Sequence, residues 1–406
     1  MPKLFQINVV ANSGSTGKIA EQIGVLAENK GWDCYMAYGR WAYNSSLKLY
    51  KIGSKKDIYL HGLKSILFDK HALGSVGATL SLIDEINKVK PDIIHLHNIH
   101  GYYLNLPVLC DFLAEYKKPI VMTLHDCWTI TGHCVHFQDI GCDKWKNGCH
   151  HCPNLKGYPK SLFIDNSRNN WIIKKESFQK ILSLLTIVPV CNWLGDIVSQ
   201  SYLKNASRKV IVNGIDLEVF KPYSDMSSLR KKYEVDNKYV LLAVSNGWNS
   251  TKGFEDILWL RNKLSDEFIF ILVGVSPNQK KKLPKGIIGV CRTENVSQLV
   301  ELYSMADVFL NPTYQDTLPT VSIEALSCGT PVIGYDTGGS ADIIDETVGM
   351  LIERGDKEKL YSSLLKIKSV RKDFYSDRCR EKALSLFNNQ ECYQNYLDLY
   401  NNLLKD

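Results

Sequence analysis

Two carboxylates eight residues apart, Asp316 and Glu324, lie inside the stretch NPTYQDTLPTVSIEALSCGTPVIGYDTGGSADII, residues 311–344. An ionised carboxylate repels phosphate but accepts hydrogen bonds from sugar hydroxyls. Two strand-to-helix junctions surround the pair. The apolar run VFLNP ends at Pro312, and Pro319 falls where a first helical turn tolerates it. The pattern TVSIEALS predicts a helix over 320–327, closed by Gly329. PVIGY reads as a second strand, and Asp336-Thr337-Gly338-Gly339 opens another helix at Ser340. Each helix start offers unpaired backbone groups and a partial positive charge, which suits a diphosphate. For the first junction the phosphate-binding backbone is Leu318, Pro319, Thr320 and Val321. Phosphate donors beside hydroxyl acceptors are what a nucleotide sugar requires. Taken alone, the same pattern also fits any doubly wound protein whose helix-start acids only balance the dipole.

Other positions could join that chemistry. Lys252, in SNGWNSTKG, follows the strand KYVLLAV and precedes a helix, so its ammonium could neutralise a departing diphosphate. Arg292, after IIGVC, is a second cationic candidate. His95 and His97 alternate along DIIHLHN and share a face, and His125-Asp126 closes VMTLHD. Asn12-Ser13-Gly14-Ser15-Thr16-Gly17-Lys18 imitates a P-loop but fails it, because Asn12 holds the first glycine position and Ile19 follows the lysine. What remains is a glycine-rich turn, Gly14, Ser15 and Thr16, that lets backbone approach a ligand. Cys134, Cys142, Cys149 and Cys152 are interleaved with four histidines. Four thiols ending in C-x-x-C suggest a tetrahedral structural zinc, with labile disulfides or plain buried thiols as the alternatives.

These residues must be positioned by a large α/β scaffold. The chain has 406 residues, 45% apolar and 23% charged, enough for two domains. No apolar run is long enough to span a bilayer, MPKLFQINVV reads as a strand, and twelve cysteines without an export signal read as reduced thiols, so a cytoplasmic location is expected. The net charge of +6 is dispersed and gives no argument for nucleic acid. LFQINVV, DIIHLHN, PIVMTLHD, LTIVPVCN and KVIVNGI are strand candidates in the first half. KYVLLAVSNG, FIFILVGVS, IIGVC, VFLNP and PVIGYD restart the pattern, with helices over 254–264, 296–305, 320–327 and 340–344. Strands alternating with helices imply two Rossmann-like halves, joined near 213–222 and facing a cleft, with ligands beyond the C-terminal strand ends. Aromatics at Tyr393, Tyr396 and Tyr400 form a core-packing stripe on a last helix over 390–404.

The run with Asp316 and Glu324 resembles the donor-site signature of the retaining family-4 glycosyltransferases, an E-x7-E inside a Pro-Thr/Ser…Glu-Ala-x-Ala-x-Gly-x-Pro-Val-Ile pattern. Asp316 replaces the first Glu and is one methylene shorter. The glycine-rich turn and Asn213-Gly214-Ile215-Asp216 with Phe220 and Pro222 also match the colanic-acid and capsular-polysaccharide members. The resemblance implies a GT-B fold, α/β, with two doubly wound domains facing each other across a cleft and a C-terminal helix crossing back. It places an acceptor-side domain at 1–212 with helix 388–406 and a nucleotide-sugar donor domain at 213–387. It implies metal-independent transfer, with retention, from a nucleotide-diphosphate sugar to a glycan or lipid-linked acceptor, and contact with the inner membrane face if that acceptor is lipid-linked. Catalytic roles fall on His125, Lys252, Asp316 and Glu324. Glu324 would take the ribose and Asp316 the sugar hydroxyls. The acceptor side falls on His97, Asn98, Tyr102, Tyr103 and Asn105. A nucleotide-sugar 2-epimerase on this fold and a zinc-containing binding module are the alternative readings.

Overall fold

The computed structural model describes residues 1–405, in two compact units. The first comprises Met1–Val212 and the C-terminal segment from Tyr393; the second is Asn213–Cys392, so the division falls inside the last helix.

In the first unit seven parallel strands run β1 (Lys3–Asn8), β2 (Asp33–Tyr38), β3 (Lys48–Lys51), β4 (Ile93–Leu96), β5 (Ile120–Leu124), β6 (Leu185–Pro189) and β7 (Ser207–Arg208). Their order across the sheet is β3-β2-β1-β4-β5-β6-β7. The central strands are near-continuous apolar runs because helices cover both faces, leaving Leu4, Phe5, Ile93, Ile94, Ile120 and Val121 without solvent contact. KVIVNGI is not the strand expected from its composition. The last pairing is the two-residue β7, after which the Lys209 and Ile211 amides still reach β6 carbonyls.

The last helix, Asn389–Leu403, carries the tyrosine stripe into this unit. Tyr400 donates its hydroxyl to His95 Nδ1 at 2.6 Å, His95 Nε2 lies 2.8 Å from Thr123 Oγ1, and Thr123 donates to Tyr396 at 3.0 Å. Every member of that chain is buried, so each hydroxyl and ring nitrogen needs the partner it has.

The second unit repeats the plan with β8 (Tyr239–Val244), β9 (Phe268–Val273), β10 (Ile287–Val290), β11 (Val308–Asn311), β12 (Val332–Tyr335) and β13 (Gly349–Ile352). Its order is β10-β9-β8-β11-β12-β13, again parallel throughout. Both sheets therefore reverse direction between their first and fourth strands. At β1/β4 and at β8/β11 the following loops diverge and leave a crevice at the strand C-termini, where doubly wound sheets bind ligands.

Burial pushes His95 down to about 3 and His97 well below its ordinary value, since neither imidazolium could be hydrated. Their folded values are depressed, so the stability they contribute is present above about 6.5 and lost as pH falls toward the folded values. The denaturation midpoint of the protein should fall between pH 7 and pH 5, by up to ~1.4 kcal/mol per pH unit for each such histidine. A midpoint that does not move over that interval would contradict the burial of neutral imidazoles.

Candidate active site

The C-terminal unit gathers most of the expected chemistry at the β8/β11 reversal. Lys252 ends the short 3-10 turn Ser250–Lys252, which Asn249 caps by accepting the Lys252 amide at 3.1 Å. Gly253 follows at φ +70°, and any Cβ there would collide with the Pro312 carbonyl, so this glycine sets how closely the two loops approach. The Tyr314 amide donates to Thr251 O at 2.8 Å, and Thr313 Oγ1 donates to the same carbonyl at 3.2 Å. The loop after β8 is thereby stitched to the loop after β11.

That stitching brings Lys252 Nζ to 3.0 Å from Asp316 Oδ2. The pair is partly open, at 34% and 26% side-chain exposure. On its other flank the Asp316 loop meets the turn that follows β12, residues 336–339. Gly339 donates to Thr317 O at 2.7 Å, and Gly338, at φ +57°, could not carry a Cβ without striking the Asp316 carbonyl. Three loops fix Asp316.

The helix Thr320–Ser327 forms over the span its sequence predicts. Pro319 is its N-cap, no side chain caps it, and no acid lies in its first turn. The backbone at Thr320 and Val321 is therefore left to solvent or to an anion. Leu318 and Pro319 are buried and shape the turn. Glu324 sits a turn further on and accepts the Tyr303 hydroxyl at 2.8 Å. Burial, reinforced by Glu324, pushes Tyr303 well above the ordinary phenol value, so it stays a donor and orients the carboxylate. Tyr303 escaped the sequence analysis because nothing in the spacing of 296–305 tells which helical position faces Glu324. Arg292 is exposed beyond β10, two strands from β8.

In the N-terminal unit Gly14, Ser15 and Thr16 are the first turn of helix Gly14–Asn29, not a loop before it, and no side chain caps that end. Gly14 and Ser15 are exposed and Thr16 half-buried. His125 follows β5, with Nε2 at 3.3 Å from His97 Nδ1, and burial pushes it down to about 4. Asp126 pairs with His100 Nε2 at 2.8 Å; burial raises its carboxyl, but His100 and the Trp128 amide outweigh that and hold it at about 2. His100 was not among the expected site residues.

The acceptor-side residues divide. Asn98 and Tyr102 are half-buried, Tyr102 at φ +71°. Tyr103 is core, donating to Asn98 O at 2.8 Å, and Asn105 caps helix Leu106–Tyr116. Cys134, Cys142, Cys149 and Cys152 line one small cavity with Phe137 and Trp145. All are unpaired thiols, and Cys149 accepts the Gly132 amide at 3.1 Å. Among the described residues no group of three or more His, Cys, Asp or Glu side chains is placed to hold a metal ion. Buried Lys174 braces the loop, donating to Trp128 O and Thr131 O and lying over the Trp128 ring.

Comparison with known proteins gives this geometry a class. Residues 238–369 match the family described as Glycosyl transferases group 1. A protein described as a colanic acid biosynthesis glycosyl transferase, WcaC of Escherichia coli K12, is 25% identical over 331 residues, 77% of each chain. Sucrose-phosphate synthase from Thermosynechococcus elongatus superposes with a TM-score of 0.72 at 16% identity, covering all of both chains. HepE from Anabaena, solved in complex with UDP, gives 0.68 at 15% identity over 99% of this chain and 100% of that one. The architecture is GT-B. The chain carries a Glycosyl transferases group 1 domain and is a glycosyltransferase.

Gly338→Ala forces a side chain into the Asp316 carbonyl while leaving every charged group in place. Because displacing a site by about 1 Å can cost ~100-fold, turnover should drop by that order with little change in the melting temperature of the rest of the chain. Wild-type turnover in that variant would show that the Asp316 loop need not be held where it lies.

Proposed function

We propose that this glycosyltransferase moves a sugar, with retention of anomeric configuration and without a catalytic metal, from a nucleotide-diphosphate sugar to a growing glycan of a cell-surface polysaccharide. The observation that carries the reading is the Lys252–Asp316 pair beside the uncapped start of helix Thr320–Ser327. A solvent-exposed ion pair is worth about 0.2–1 kcal/mol, and this partly open one is close enough to that limit for Lys252 to turn to a diphosphate at modest cost. The ammonium and the helix start then neutralise the charge that grows on the leaving nucleotide, the work a divalent cation does elsewhere. Asp316 accepts from sugar hydroxyls, and Glu324, held by Tyr303, from the ribose. Among the described residues we assign no side chain as a covalent nucleophile. The leaving phosphate takes the acceptor's proton on the face from which it departs, which keeps the anomeric configuration. The similarity to WcaC supports a polysaccharide acceptor, and the UDP complex of HepE supports a nucleotide donor.

A lipid-linked acceptor calls for contact with a membrane surface, and one face of the N-terminal unit suits such contact. Helix Lys55–Phe68 is inverted: the residues it buries are His61 and Ser65, whereas Tyr59, Leu60, Leu63 and Phe68 are exposed. The segment through Leu162, Phe163 and Ile164, also exposed, joins it through the Leu162 amide on Ile66 O at 2.9 Å. Lys55, Lys56 and Lys160 stand exposed beside this apolar face. Apolar side chains among lysines fit an anionic lipid headgroup layer. No helix among the described residues is long and apolar enough to cross a membrane.

Lys252→Ala should lower turnover by ~100-fold or more, as for loss of transition-state charge stabilisation; a change under about threefold would remove Lys252 from the mechanism. A thermal-shift panel of UDP-, GDP-, dTDP- and ADP-sugars should single out one donor by mass action, and an enzyme stabilised by none would count against the donor site. The protein should sediment with phosphatidylglycerol vesicles and not with phosphatidylcholine ones, and Phe163→Asp should release it. Equal sedimentation with both vesicles, or none with either, would exclude the lysine-ringed face as an anionic-lipid contact.

A further inference from the structure

A chain of hydrogen bonds behind His125 determines where its proton sits. It begins at a backbone carbonyl, Ala20 O, which can only accept. Gln6 lies 2.9 Å from that oxygen through its side-chain nitrogen, so the amide is oriented without ambiguity and Oε1 faces the other way. His97 Nε2 lies 3.0 Å from Oε1 and must donate to it. The buried His97 ring is neutral, so with its proton on Nε2 its Nδ1 is a lone pair. His125 Nε2, 3.3 Å from that lone pair, must then carry a proton. His125 is itself neutral above about 4, and its Nδ1 is left as an acceptor. Among the described residues that nitrogen has no hydrogen-bond partner, and it does not appear among the buried unsatisfied atoms, so solvent or a ligand reaches it.

We propose that Gln6 and His97 are positioning residues that lock His125 into the Nε2–H tautomer, so that it meets its ligand only as an acceptor, through Nδ1, and takes a hydrogen bond from a substrate hydroxyl. Such a histidine cannot clamp a phosphate, which offers no proton at neutral pH. It discriminates for a hydroxyl-bearing partner, since a site built to accept one hydrogen bond rejects groups that cannot donate it. The geometry also explains the depth of Gln6 and His97: both are almost fully buried, below a ring that is not. Rotating the amide would set two carbonyl-type oxygens against each other, which keeps the relay in one sense. Locking a tautomer through a buried partner is worth large factors in rate where the histidine works on substrate.

The assignment of the proton concerns the ligand-free protein, whereas the hydroxyl as its partner rests on the glycosyl-transfer reading. The test therefore uses the free protein: nitrogen-15 histidine spectra of the full chain at pH 7, with the His125 signals identified by their loss in His125→Asn. The expected result is one tautomer, Nε2 protonated and Nδ1 bare. Gln6→Met keeps the volume and removes both hydrogen bonds, so His97 and His125 should become tautomeric mixtures and kcat should fall by at least ~10-fold, as for loss of a buried orienting partner. His125 with its proton on Nδ1 in the wild type would overturn the proposal, whatever the fate of Gln6→Met. A Gln6→Met protein whose His125 keeps the pure Nε2–H form would do so as well. Neither outcome would touch the donor site, because no nucleotide enters the measurement.

Discussion

The ion pair between Lys252 and Asp316 is the interaction on which the proposed donor chemistry rests, and the sheet order is what makes it available. In the order β10-β9-β8-β11-β12-β13 the chain departs in opposite directions from β8 and β11. The loops that follow would diverge unless something tied them. Thr251 O, Thr313 and Tyr314 supply the tie, Gly253 lets it be close, and the two opposite charges meet across the gap. A cation held there by a weak, solvent-screened pair is neither buried nor loose. It is placed, yet it can be redirected to a more negative ligand.

The N-terminal unit repeats the same order and uses its reversal differently. Where the C-terminal unit presents charge, the N-terminal one presents neutral imidazoles whose protons are dictated from behind. Burial keeps His95 and His97 uncharged, and the hydrogen bonds of Tyr400, Thr123 and Gln6 assign each ring nitrogen one role. The last helix belongs to this arrangement, since its tyrosine hydroxyls complete the pairing of His95. Polar groups in a protein interior are specific because each must be satisfied.

Much of this was legible in the residues. The helix Thr320–Ser327 falls where its proline start, apolar period and glycine stop put it, and Val296–Met305 covers the range expected for it. The β8 and β11 strands and their polar exits followed from apolar runs ending in Asn, Gly and Pro. The sequence did place His95 and His97 on one face and the tyrosine stripe in the core, but it left most other side-chain directions open. Tyr103 and Asn105 stand beside Tyr102 in the chain, yet one turns into the core and the other caps a helix, because adjacency does not say which way a side chain points. Tyr303, Gly338 and Gln6 act through contacts 21, 22 and 91 residues away in sequence, as their partners Glu324, Asp316 and His97 show. The inverted helix Lys55–Phe68 is illegible for a further reason: apolar periodicity normally marks the buried face, and here it marks the exposed one.

The decisive measurement is a crystal structure of the protein with a bound nucleoside diphosphate. The account predicts a diphosphate oxygen within hydrogen-bond distance of Lys252 Nζ, another at the Thr320–Val321 backbone, and the ribose against Glu324. A diphosphate bound elsewhere, with Lys252 still on Asp316 and the helix start facing solvent, would contradict it.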